Sequence, residues 1–545
     1  MQERDDQKLQ ANVVYKGHIS DRALHQTFAD RPSVEIRLMI VPAKLPIGRH
    51  SRHKYVCQLR VALKIRGNHL RRLIRHFFGL FISILTICAA TRTLAEPLRP
   101  HPGNPRYFTD GSSKAIYLTG WNHARELQDN AWTDYNNTPT ITDYPGFLKS
   151  LKQHNHNYMR LWVVEHTKHT PADTVLTSPM PYLRTGPTNA NDGQPKFDLD
   201  QLNEAYFDRL RSRVIGAGEE GIYVSVMLFQ GWSVDRKEVF GSIRNPWPYH
   251  PFHENNNVNG INGDSDGNDQ GEEVHTLQNS TVTKIQENYV KKVIDTLNDL
   301  DNVLYEIANE GGAYSKDWLY HMVRFIKGYQ AVKPKQHPVG ITAGFFSNSV
   351  LTLSAADWIS PGGEPHWVDD PPVADGAKVS ITDTDHIVAS KILTSDLAVG
   401  TRWVWKSFMR GHNPSLLGRL TTALGGAPED RLRDNANFEL IRKTLGLARS
   451  YSQRIDLAAM IPRKDLASSG YALAKLGVEY LVYLPDARNV TVDLSDSRDI
   501  FKVEWGNTTN GDTVAGGTVT GGARRDFTAP YDTDSILHLK MILDD

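Results

Sequence analysis

Carboxylate residues follow buried apolar runs at two places in this sequence. The segment VLYEIANEGG ends its apolar run in Asn309 and Glu310, and the segment KVSITDTDH contains Asp383 and Asp385. Two facing carboxyl groups can hydrolyse a glycosidic bond, because one protonates the leaving oxygen while the other attacks or stabilises the anomeric carbon. A solvated turn without a chemical task is the alternative for each segment. The fold must therefore decide whether the two segments meet.

Other polar and aromatic residues lie near the ends of the remaining apolar runs. They are Arg160, Trp162, Gln230, Trp232, His366, His386 and Trp403. Aromatic rings offer flat apolar surfaces to sugar rings, and a few placed polar groups fix a ligand's orientation. Each residue also has a structural interpretation, since Trp403 can belong to the core and Arg160 can serve a structural ion pair. Their coincidence at the ends of the runs favours a carbohydrate-binding site.

Apolar runs alternate with helical patterns over residues 96–445. The first predicted strand ends near Trp121, and the others are NYMRLWVV, GIYVSVMLFQ, NVLYEIANE, HPVGITAGFF, ADWISPGG, KVSITDTDH and TRWVWKSF. Strands that are apolar on both faces and separated by amphipathic helices predict a parallel sheet covered by helices. Eight such units predict an α/β protein with a (β/α)8 TIM barrel. An open doubly wound sheet is the alternative, but no glycine-rich dinucleotide fingerprint follows the first strand.

In such a barrel the carboxyl ends of all strands lie on one face, where active sites are built. Glu310 on the fourth strand and Asp383 on the seventh would then face each other across the mouth. Asp385 points to the same side as Asp383 by strand alternation. The sequence thus predicts a carboxylate pair at the mouth.

The amino-terminal part of the chain has the layout of a secretory signal. Arg71, Arg72 and Arg75 precede an apolar stretch from Phe77 to Ala90, which is too short to span a bilayer comfortably. We therefore predict a signal peptide at 71–95 and a secreted or periplasmic protein. Residues 1–70 are predicted to be disordered or to lie upstream of the true start.

Charge is distributed unevenly along the chain. The first 95 residues hold 17 basic and 6 acidic residues, against 45 and 56 in residues 96–545. The acidic excess after residue 95 argues against nucleic acid or an anionic membrane as a partner. Both cysteines, Cys57 and Cys88, fall within the segment that export would remove, so no disulfide is predicted in the mature protein. No cofactor is predicted either.

Residues 446–545 have a different pattern, with short alternating strands and turn signals such as Asn510-Gly511. This spacing predicts a small antiparallel β-sandwich. Either carbohydrate binding or structural support of the barrel would suit such a module.

An acidic loop precedes the fourth strand. Within NGDSDGNDQGEE, the positions of Asn262, Asp264, Asp266, Gly267 and Glu273 match a calcium loop, with Asn in the first place. A solvated acidic insertion is the alternative, and no helix pattern enters the loop. We predict no metal site from this pattern alone.

The segment YEIANE resembles the fourth-strand motif of clan A glycoside hydrolases, the cellulase-like barrels that include family 5. The resemblance implies that Glu310 is the acid/base and that Asn309 binds the sugar 2-hydroxyl. It also implies that Arg160, in NYMRLW, supports the site. The clan's seventh strand supplies a glutamate nucleophile, and Asp383 stands at that position. Clan membership further implies a retaining double displacement.

The shorter side chain at 383 leaves the nucleophile open. Asp383 and Asp385 are nearly equal candidates, and Glu364 in SPGGEPHW is the third. The missing glutamate also keeps two other functions open, a carbohydrate-binding barrel without catalysis and a surface adhesion protein.

The segments HPFHENNNVNG and TRWVWKSFMRGHNP and the carboxy-terminal region resemble a narrower bacterial group. Its members are apiosidase-like barrels with a terminal module of the type named collagen-binding. This resemblance implies a reaction class and identifies no sugar.

Overall fold

The computed structural model describes residues 35–43, 56–64, 96–122, 125–130, 143–239, 242–363, 366–387, 397–417, 436–486 and 488–542. The chain divides into two units, Met1–Leu94 and Ala95–Asp545. In the first unit, strand Glu35–Ala43 pairs antiparallel with strand Val56–Lys64. The predicted signal peptide lies outside the described residues and stays a prediction. Among the helices that are described, none has both the length and the apolar character needed to cross a bilayer.

Eight parallel strands close into a barrel in the second unit, which confirms the predicted fold class. In chain order they are β1 (Gly120–Asn122), β2 (Tyr158–Leu161), β3 (Tyr223–Gln230), β4 (Val303–Asn309), β5 (Val339–Thr342), β6 (Trp358–Ser360), β7 (Val379–Asp383) and β8 (Asn413–Leu417). Each strand pairs in parallel with its neighbours, and β8 closes on β1 where Ser415 lies beside Gly120. Because β4 and β7 are both barrel strands, their ends share the mouth.

A helix follows each barrel strand. The helices are α1 (Tyr144–Gln153), α2 (Glu204–Glu219), α3 (Ser280–Leu297), α4 (Lys316–Gln330), α5 (Asn348–Thr352), α6 (His366–Asp369), α7 (Leu397–Met409) and α8 (Ala436–Arg454). In α3 the buried residues Val282, Ile285, Tyr289 and Val293 recur at helical spacing, which gives the helix one apolar face for the barrel.

The eighth strand differs from the prediction. The segment TRWVWKSF lies within α7, and the strand that completes the barrel is the following segment, Asn413–Leu417. Trp403 and Val404 are both fully buried, as is Phe408 one helical turn later. A short apolar run of this kind fits a buried strand or a buried helix equally well, so periodicity could not distinguish them.

Two insertions extend the mouth. The first, between β2 and α2, forms the hairpin Tyr182–Asn189 and Pro195–Leu202. The second, between β3 and α3, contains the short pair Lys237–Val239 and Ser242–Arg244. The two insertions share a small core around Trp247. A further short pair, Arg99–Pro100 with Phe108–Thr109, precedes β1.

The carboxy-terminal strands form two antiparallel sheets. They are β9 (Ile461–Pro462), β10 (Ala472–Lys475), β11 (Glu479–Leu484), β12 (Asn489–Asp493), β13 (Ile500–Asn507), β14 (Thr513–Thr520), β15 (Arg524–Thr528) and β16 (Ser535–Met541). One sheet has the order β9-β10-β11-β16-β13-β14, and the other is the pair β12-β15. Side chains of both sheets share an apolar core, as the predicted β-sandwich requires.

The sandwich packs on the barrel through a continuous apolar junction. The ring of Trp405 on α7 stacks on Tyr483 of β11, with 6.2 Å between the ring centroids, and meets Tyr451 of α8 edge-on at 5.6 Å. Arg402 donates through Nε to Asp534 at 2.9 Å at the rim. The sandwich is therefore anchored to α7 and α8 as part of the same structural unit.

Candidate active site

An arginine at the end of β2 organises the interior of the mouth. The guanidinium of Arg160 is almost fully buried and donates to both oxygens of Glu306 on β4, Nε at 3.1 Å and Nη2 at 2.5 Å. Ser225 on β3 donates to the same carboxylate at 3.1 Å. The ring of Trp162 lies under the guanidinium, 4.7 Å from its Cζ to the ring centroid. This two-point clamp leaves Arg160 a single orientation, with its remaining N–H groups aimed across the barrel.

Asn309, the last residue of β4, has a defined amide orientation. Its Oδ1 accepts from Nη2 of Arg160 at 2.7 Å, and because arginine can only donate, this atom must be the oxygen. The same oxygen lies 2.9 Å from Nε2 of His386. Its Nδ2 donates to Oε1 of Gln230 on β3 at 3.2 Å. The amide nitrogen has two N–H groups, and Gln230 takes one of them.

His386 is held neutral between two strands. Burial, reinforced by the charge of Arg160, lowers its pKa well below the usual value. Since Asn309 presents an oxygen, Nε2 carries the proton, and Nδ1 accepts from the hydroxyl of Ser360 on β6 at 2.8 Å. The two hydrogen bonds of the imidazole thus connect the end of β4 to the end of β6.

Glu310 lies immediately beyond β4 in a left-handed backbone conformation, with φ of 45°. Nonglycine residues rarely adopt this region, and such positions concentrate at functional sites. The carbonyl of Glu310 approaches Gly231 so closely that a Cβ there would lie 2.1 Å from the oxygen. Gly231 therefore permits the ends of β3 and β4 to touch, which turns Glu310 into the mouth.

The carboxylate of Glu310 is bound by a tryptophan from the neighbouring strand end. Nε1 of Trp232 donates to Oε2 of Glu310. The backbone N–H of Trp232 in turn donates to Oε1 of Gln230 at 3.3 Å. Oε1 of Gln230 therefore accepts hydrogen bonds from both Trp232 and Asn309. It connects the tryptophan that binds the carboxylate of Glu310 with the residue that precedes Glu310 in the chain.

Asp383 and Asp385 form a carboxyl pair at the end of β7. Nη1 of Arg160 lies 3.5 Å from Oδ2 of Asp383 and 3.4 Å from Oδ2 of Asp385. Asp383 is fully buried, and its Oδ1 accepts the backbone N–H of Asp385 at 2.9 Å. The side chain of Asp385 keeps 11% of its surface exposed. Only Asp385 of the pair thus reaches the mouth.

The two carboxyl groups resist full ionisation. Burial raises the pKa of both, and Arg160 opposes that rise without cancelling it. Repulsion from Asp383 and Glu306 contributes further, and the pKa of Asp385 is raised to about 7. One arginine faces three carboxyl groups here, so the cluster favours keeping a proton near neutral pH.

Glu165 supports the site from behind β3. Its Oε1 accepts the backbone N–H of Gln230 at 2.6 Å and lies 3.2 Å from Nε2 of His275. His250 adds a contact at 3.6 Å. Burial disfavours the charge of Glu165, but the two histidines outweigh it and lower its pKa to about 2. The carboxylate therefore stays ionised and fixes the strand end that carries Gln230.

The structure brings together most of the predicted site residues. They are Arg160, Trp162, Gln230, Trp232, Asn309, Glu310, Asp383, Asp385 and His386. Trp162 serves from beneath Arg160 and donates to Asn122 on β1 at 2.5 Å, so it supports the site without facing the mouth.

Two predicted residues have other surroundings. Trp403 is fully buried on α7, so the structure contradicts its assignment to substrate binding. The cause is the strand-helix ambiguity of TRWVWKSF described above. His366 lies exposed at the start of α6, beyond β6. Glu364, the third nucleophile candidate, lies outside the described residues.

Sequence reasoning missed two buried acids, Glu306 and Glu165. Glu306 stands inside the apolar run of β4, and an acid within a strand buried on both faces is rare unless paired. That anomaly was a usable signal, and Arg160 was the available partner. Glu165 gave no comparable signal, because its partners His250 and His275 are remote in sequence.

The acidic loop folds around its own carboxylates. Asp264, Asp266 and Glu273 place one oxygen each within 4.8 Å of one another. Backbone N–H groups of the loop already bind this cluster, including Gly267 to Asp264 at 3.0 Å and Asp266 to Glu273 at 2.9 Å. These bonds account for the conformation of the loop, and no metal is assigned to it.

The fold matches solved glycoside hydrolases. One protein described as a glycoside hydrolase superposes with a TM-score of 0.54 at 11% identity, over 83% of this chain and 98% of that one. A family 5 glycoside hydrolase from Bacteroides vulgatus superposes with a TM-score of 0.56 at 11% identity, over 82% and 93% of the two chains. No family model and no curated protein matches the sequence. At this identity the likeness shows a shared fold, and the activity must be argued from the site.

Proposed function

We propose that this protein is a secreted glycoside hydrolase that cleaves a polysaccharide or oligosaccharide by a retaining double displacement, without a cofactor. One observation carries the proposal, a continuous hydrogen-bonded path across the mouth from Glu310 to Asp385. The path runs through Trp232, Gln230, Asn309 and Arg160. Such a path fixes two carboxyl groups on opposite strands while leaving both at the mouth.

Glu310 is the proposed acid/base. Its left-handed turn and the Trp232 indole hold the carboxyl at the mouth, where it is partly exposed. A carboxyl in this position can give its proton to the glycosidic oxygen as the bond to the anomeric carbon breaks.

Asp385 is the proposed nucleophile, in preference to Asp383. Asp383 is fully buried and has Oδ1 occupied by a backbone N–H, whereas Asp385 retains an exposed edge. Arg160 lies 3.4 Å from Asp385 and would stabilise the carboxylate before attack. Asp385 attacks in its ionised form, and its raised pKa of about 7 places that ionisation near neutral pH.

The proposed reaction balances in two steps. In the first, an oxygen of Asp385 bonds to the anomeric carbon, the glycosidic bond breaks, and Glu310 gives its proton to the leaving oxygen. In the second, Glu310 takes a proton from water, the water oxygen bonds to the anomeric carbon, and the ester to Asp385 breaks. The product keeps the anomeric configuration of the substrate.

Asn309 is the proposed ligand of the sugar 2-hydroxyl. Hydrogen bonds with Arg160, His386 and Gln230 fix its amide plane. The amide nitrogen has two N–H groups, and the one that does not donate to Gln230 is the proposed donor to the sugar hydroxyl. Hydrogen bonds to this hydroxyl strengthen as the transition state forms.

Export of the protein is supported by the sequence pattern at 71–95. The family 5 enzyme with a similar fold supports the reaction class, since its described activity matches the carboxyl pair. A second candidate is a carbohydrate-binding barrel without catalysis. It is favoured by Asp383, which is completely buried where the clan motif has a glutamate nucleophile.

The proposal is tested by hydrolysis of aryl glycosides and of plant and algal polysaccharides with the purified protein and its variants. We expect Glu310→Gln and Asp385→Asn each to lower kcat/KM by at least about 100-fold. Proton NMR of the first product should show retained anomeric configuration.

Matched controls are Glu219→Gln and Asp208→Asn, which change exposed carboxylates on α2 and should leave kcat/KM unchanged. Sugar binding without turnover would favour the binding barrel. A fully active Asp385→Asn protein would remove Asp385 as nucleophile, and an inverted product would contradict the double displacement.

A further inference from the structure

The acidic loop, residues 262–273, belongs to a segment without any permanent positive charge. Residues 245–283 contain six acidic residues and no lysine or arginine. Like charges at this density repel one another, and salt screens that repulsion mainly where the groups are exposed. The segment therefore has to obtain a compensating positive charge from elsewhere.

Two carboxyl groups of this loop are withdrawn from solvent. Asp264 is 8% exposed and Glu273 is 6% exposed, whereas Asp266 is exposed. Each of the three places one carboxylate oxygen within 4.8 Å of the other two. Within the described part of the chain, none of these carboxyl groups has a salt-bridge partner. Buried carboxylates are ordinarily paired with a cation or bound to a metal, because desolvation disfavours their charge.

One oxygen of Glu273 is left over by the hydrogen bonds of the loop. Its Oε1 accepts from the backbone N–H of Asp266 at 2.9 Å and from that of Ser265 at 3.1 Å. Its Oε2 is buried and has no hydrogen-bond partner. The hydrogen bonds set the conformation of the loop and by themselves assign no metal. They leave, however, a buried anionic oxygen beside two other carboxyl groups, and an unsatisfied oxygen of this kind is costly unless a cation binds it.

We propose that Asp264, Asp266 and Glu273 bind a calcium ion. Carboxylate oxygens are hard ligands, which suit calcium or magnesium better than zinc or copper. Magnesium keeps several of its waters and is usually held by only one or two carboxylates, so three carboxyl groups favour calcium. Water and carbonyl oxygens commonly complete the roughly six to eight ligands of a calcium ion. The exposed carboxyl of Asp266 gives the ion a path from solvent.

The ion connects the second insertion to the back of the candidate active site. Glu273 lies in the short turn Glu272–His275, and Nε2 of His275 is 3.2 Å from Oε1 of Glu165. Glu165 in turn accepts the backbone N–H of Gln230 at 2.6 Å. Calcium at Glu273 thus fixes the turn that holds His275 against Glu165. Its role is structural, so the inference does not depend on the proposed hydrolysis.

The test measures calcium binding by the purified full chain after treatment with a chelator and dialysis. Isothermal titration with calcium chloride should show binding with a dissociation constant of about 10⁻⁴ M or lower. Saturating calcium should raise the melting temperature by roughly 2 °C, because the ion binds only the folded loop. Glu273→Gln replaces the unpartnered oxygen with an amide. It should weaken binding by at least about tenfold and remove most of the thermal shift.

Asp269→Asn is the matched control, because it removes a negative charge from the same loop at a residue outside the cluster. Asparagine also tolerates the left-handed backbone of this position, where φ is 61°. If Glu273→Gln does not fold, Asp266→Asn provides the same test at an exposed residue.

Three results would overturn the proposal. The first is a wild-type protein that neither binds calcium nor melts at a higher temperature in its presence. The second is equal weakening of binding by Asp269→Asn and by the cluster variants, which would assign the binding to the general charge of the loop. The third is magnesium binding as tight as calcium binding. None of these results bears on the proposed hydrolase function, which is tested separately by turnover.

Discussion

The mouth of the barrel and its junction with the sandwich each contain a tryptophan, and the two side chains have different functions. Trp232 at the mouth is partly exposed and donates to the carboxylate of Glu310. Trp405 at the junction with the sandwich is 1% exposed and is packed between Tyr451 and Tyr483. The first position orients a reactive group, while the second buries apolar area.

The arginines of the two regions differ in the same way. Arg160 is almost fully buried among three carboxyl groups, an arrangement whose desolvation cost weighs against stability. Arg402 keeps 28% of its side-chain surface exposed and binds Asp534 and Asp486 at the rim. The junction therefore stabilises the fold, whereas the mouth retains costly charges that the fold does not need.

The largest expected effect is on stability at the junction. Trp405→Ala should lower the free energy of unfolding by about 3–5 kcal/mol, because a large buried ring leaves a cavity. Chemical denaturation measures this change, and kcat/KM below the melting range should stay unchanged. Trp232→Ala is the counterpart at the mouth, and the comparison would be wrong if it destabilised the protein as much.

Glu306→Gln should affect catalysis more than stability. Glutamine in place of Glu306 removes the charged partner of Arg160, so the Arg160 side chain becomes less ordered. Because Arg160 positions Asn309 and Asp385, we expect kcat to fall by about 10- to 100-fold. The negative charge of Glu306 also raises the pKa of Asp383 and Asp385. Its removal should shift the acid limb of the kcat/KM profile to lower pH, and a profile of unchanged position would contradict this electrostatic role.

The carboxyl pair should give stability an unusual pH dependence. The pKa of Asp385 is raised to about 7 in the folded protein, above its unfolded value of about 3.9. The folded state therefore binds the proton more tightly, so this group's contribution is complete below about pH 4 and is lost as pH rises towards 7. Asp385→Asn should flatten the fall in melting temperature between about pH 4 and pH 7 relative to Asp208→Asn. Equal slopes in the two variants would argue against the raised pKa.

The smallest expected effect is at the rim of the junction. Asp534 accepts from Arg402 at 2.9 Å and from the Tyr483 hydroxyl at 2.7 Å. Asp534→Asn should lower the free energy of unfolding by about 1 kcal/mol, because partly exposed ion pairs contribute little. High salt should reduce the difference between the two proteins, and a salt-independent loss would show that packing dominates.

Much of the barrel was predictable because its signals are local. Seven of the eight strands follow from apolar runs, and Asn309 and Glu310 follow from the abrupt end of one run. The eighth strand was misassigned because Trp403 and Val404 fit a buried helix as well as a strand. The β-sandwich was predictable from alternation and turn residues, but its junction through Trp405 was not.

The sequence predicted most of the residues that form the site, but only part of what each residue does there. Strand ends identified Arg160, Asp383 and Asp385 as neighbours, since a parallel barrel gathers these ends at one face. Their ranking depended on burial, which separated the enclosed Asp383 from the accessible Asp385. Burial depends on contacts between distant segments and leaves no trace in local spacing.

The barrel, the sandwich and the presence of carboxyl groups at the mouth follow from the sequence, because apolar periodicity and strand ends are local features of the chain. Only the tertiary structure decided that Glu306 clamps Arg160, that Trp232 holds Glu310 and that one oxygen of Glu273 is buried without a hydrogen-bond partner. The physical reason is that pKa, exposure and hydrogen bonding depend on which distant groups share a low-dielectric space.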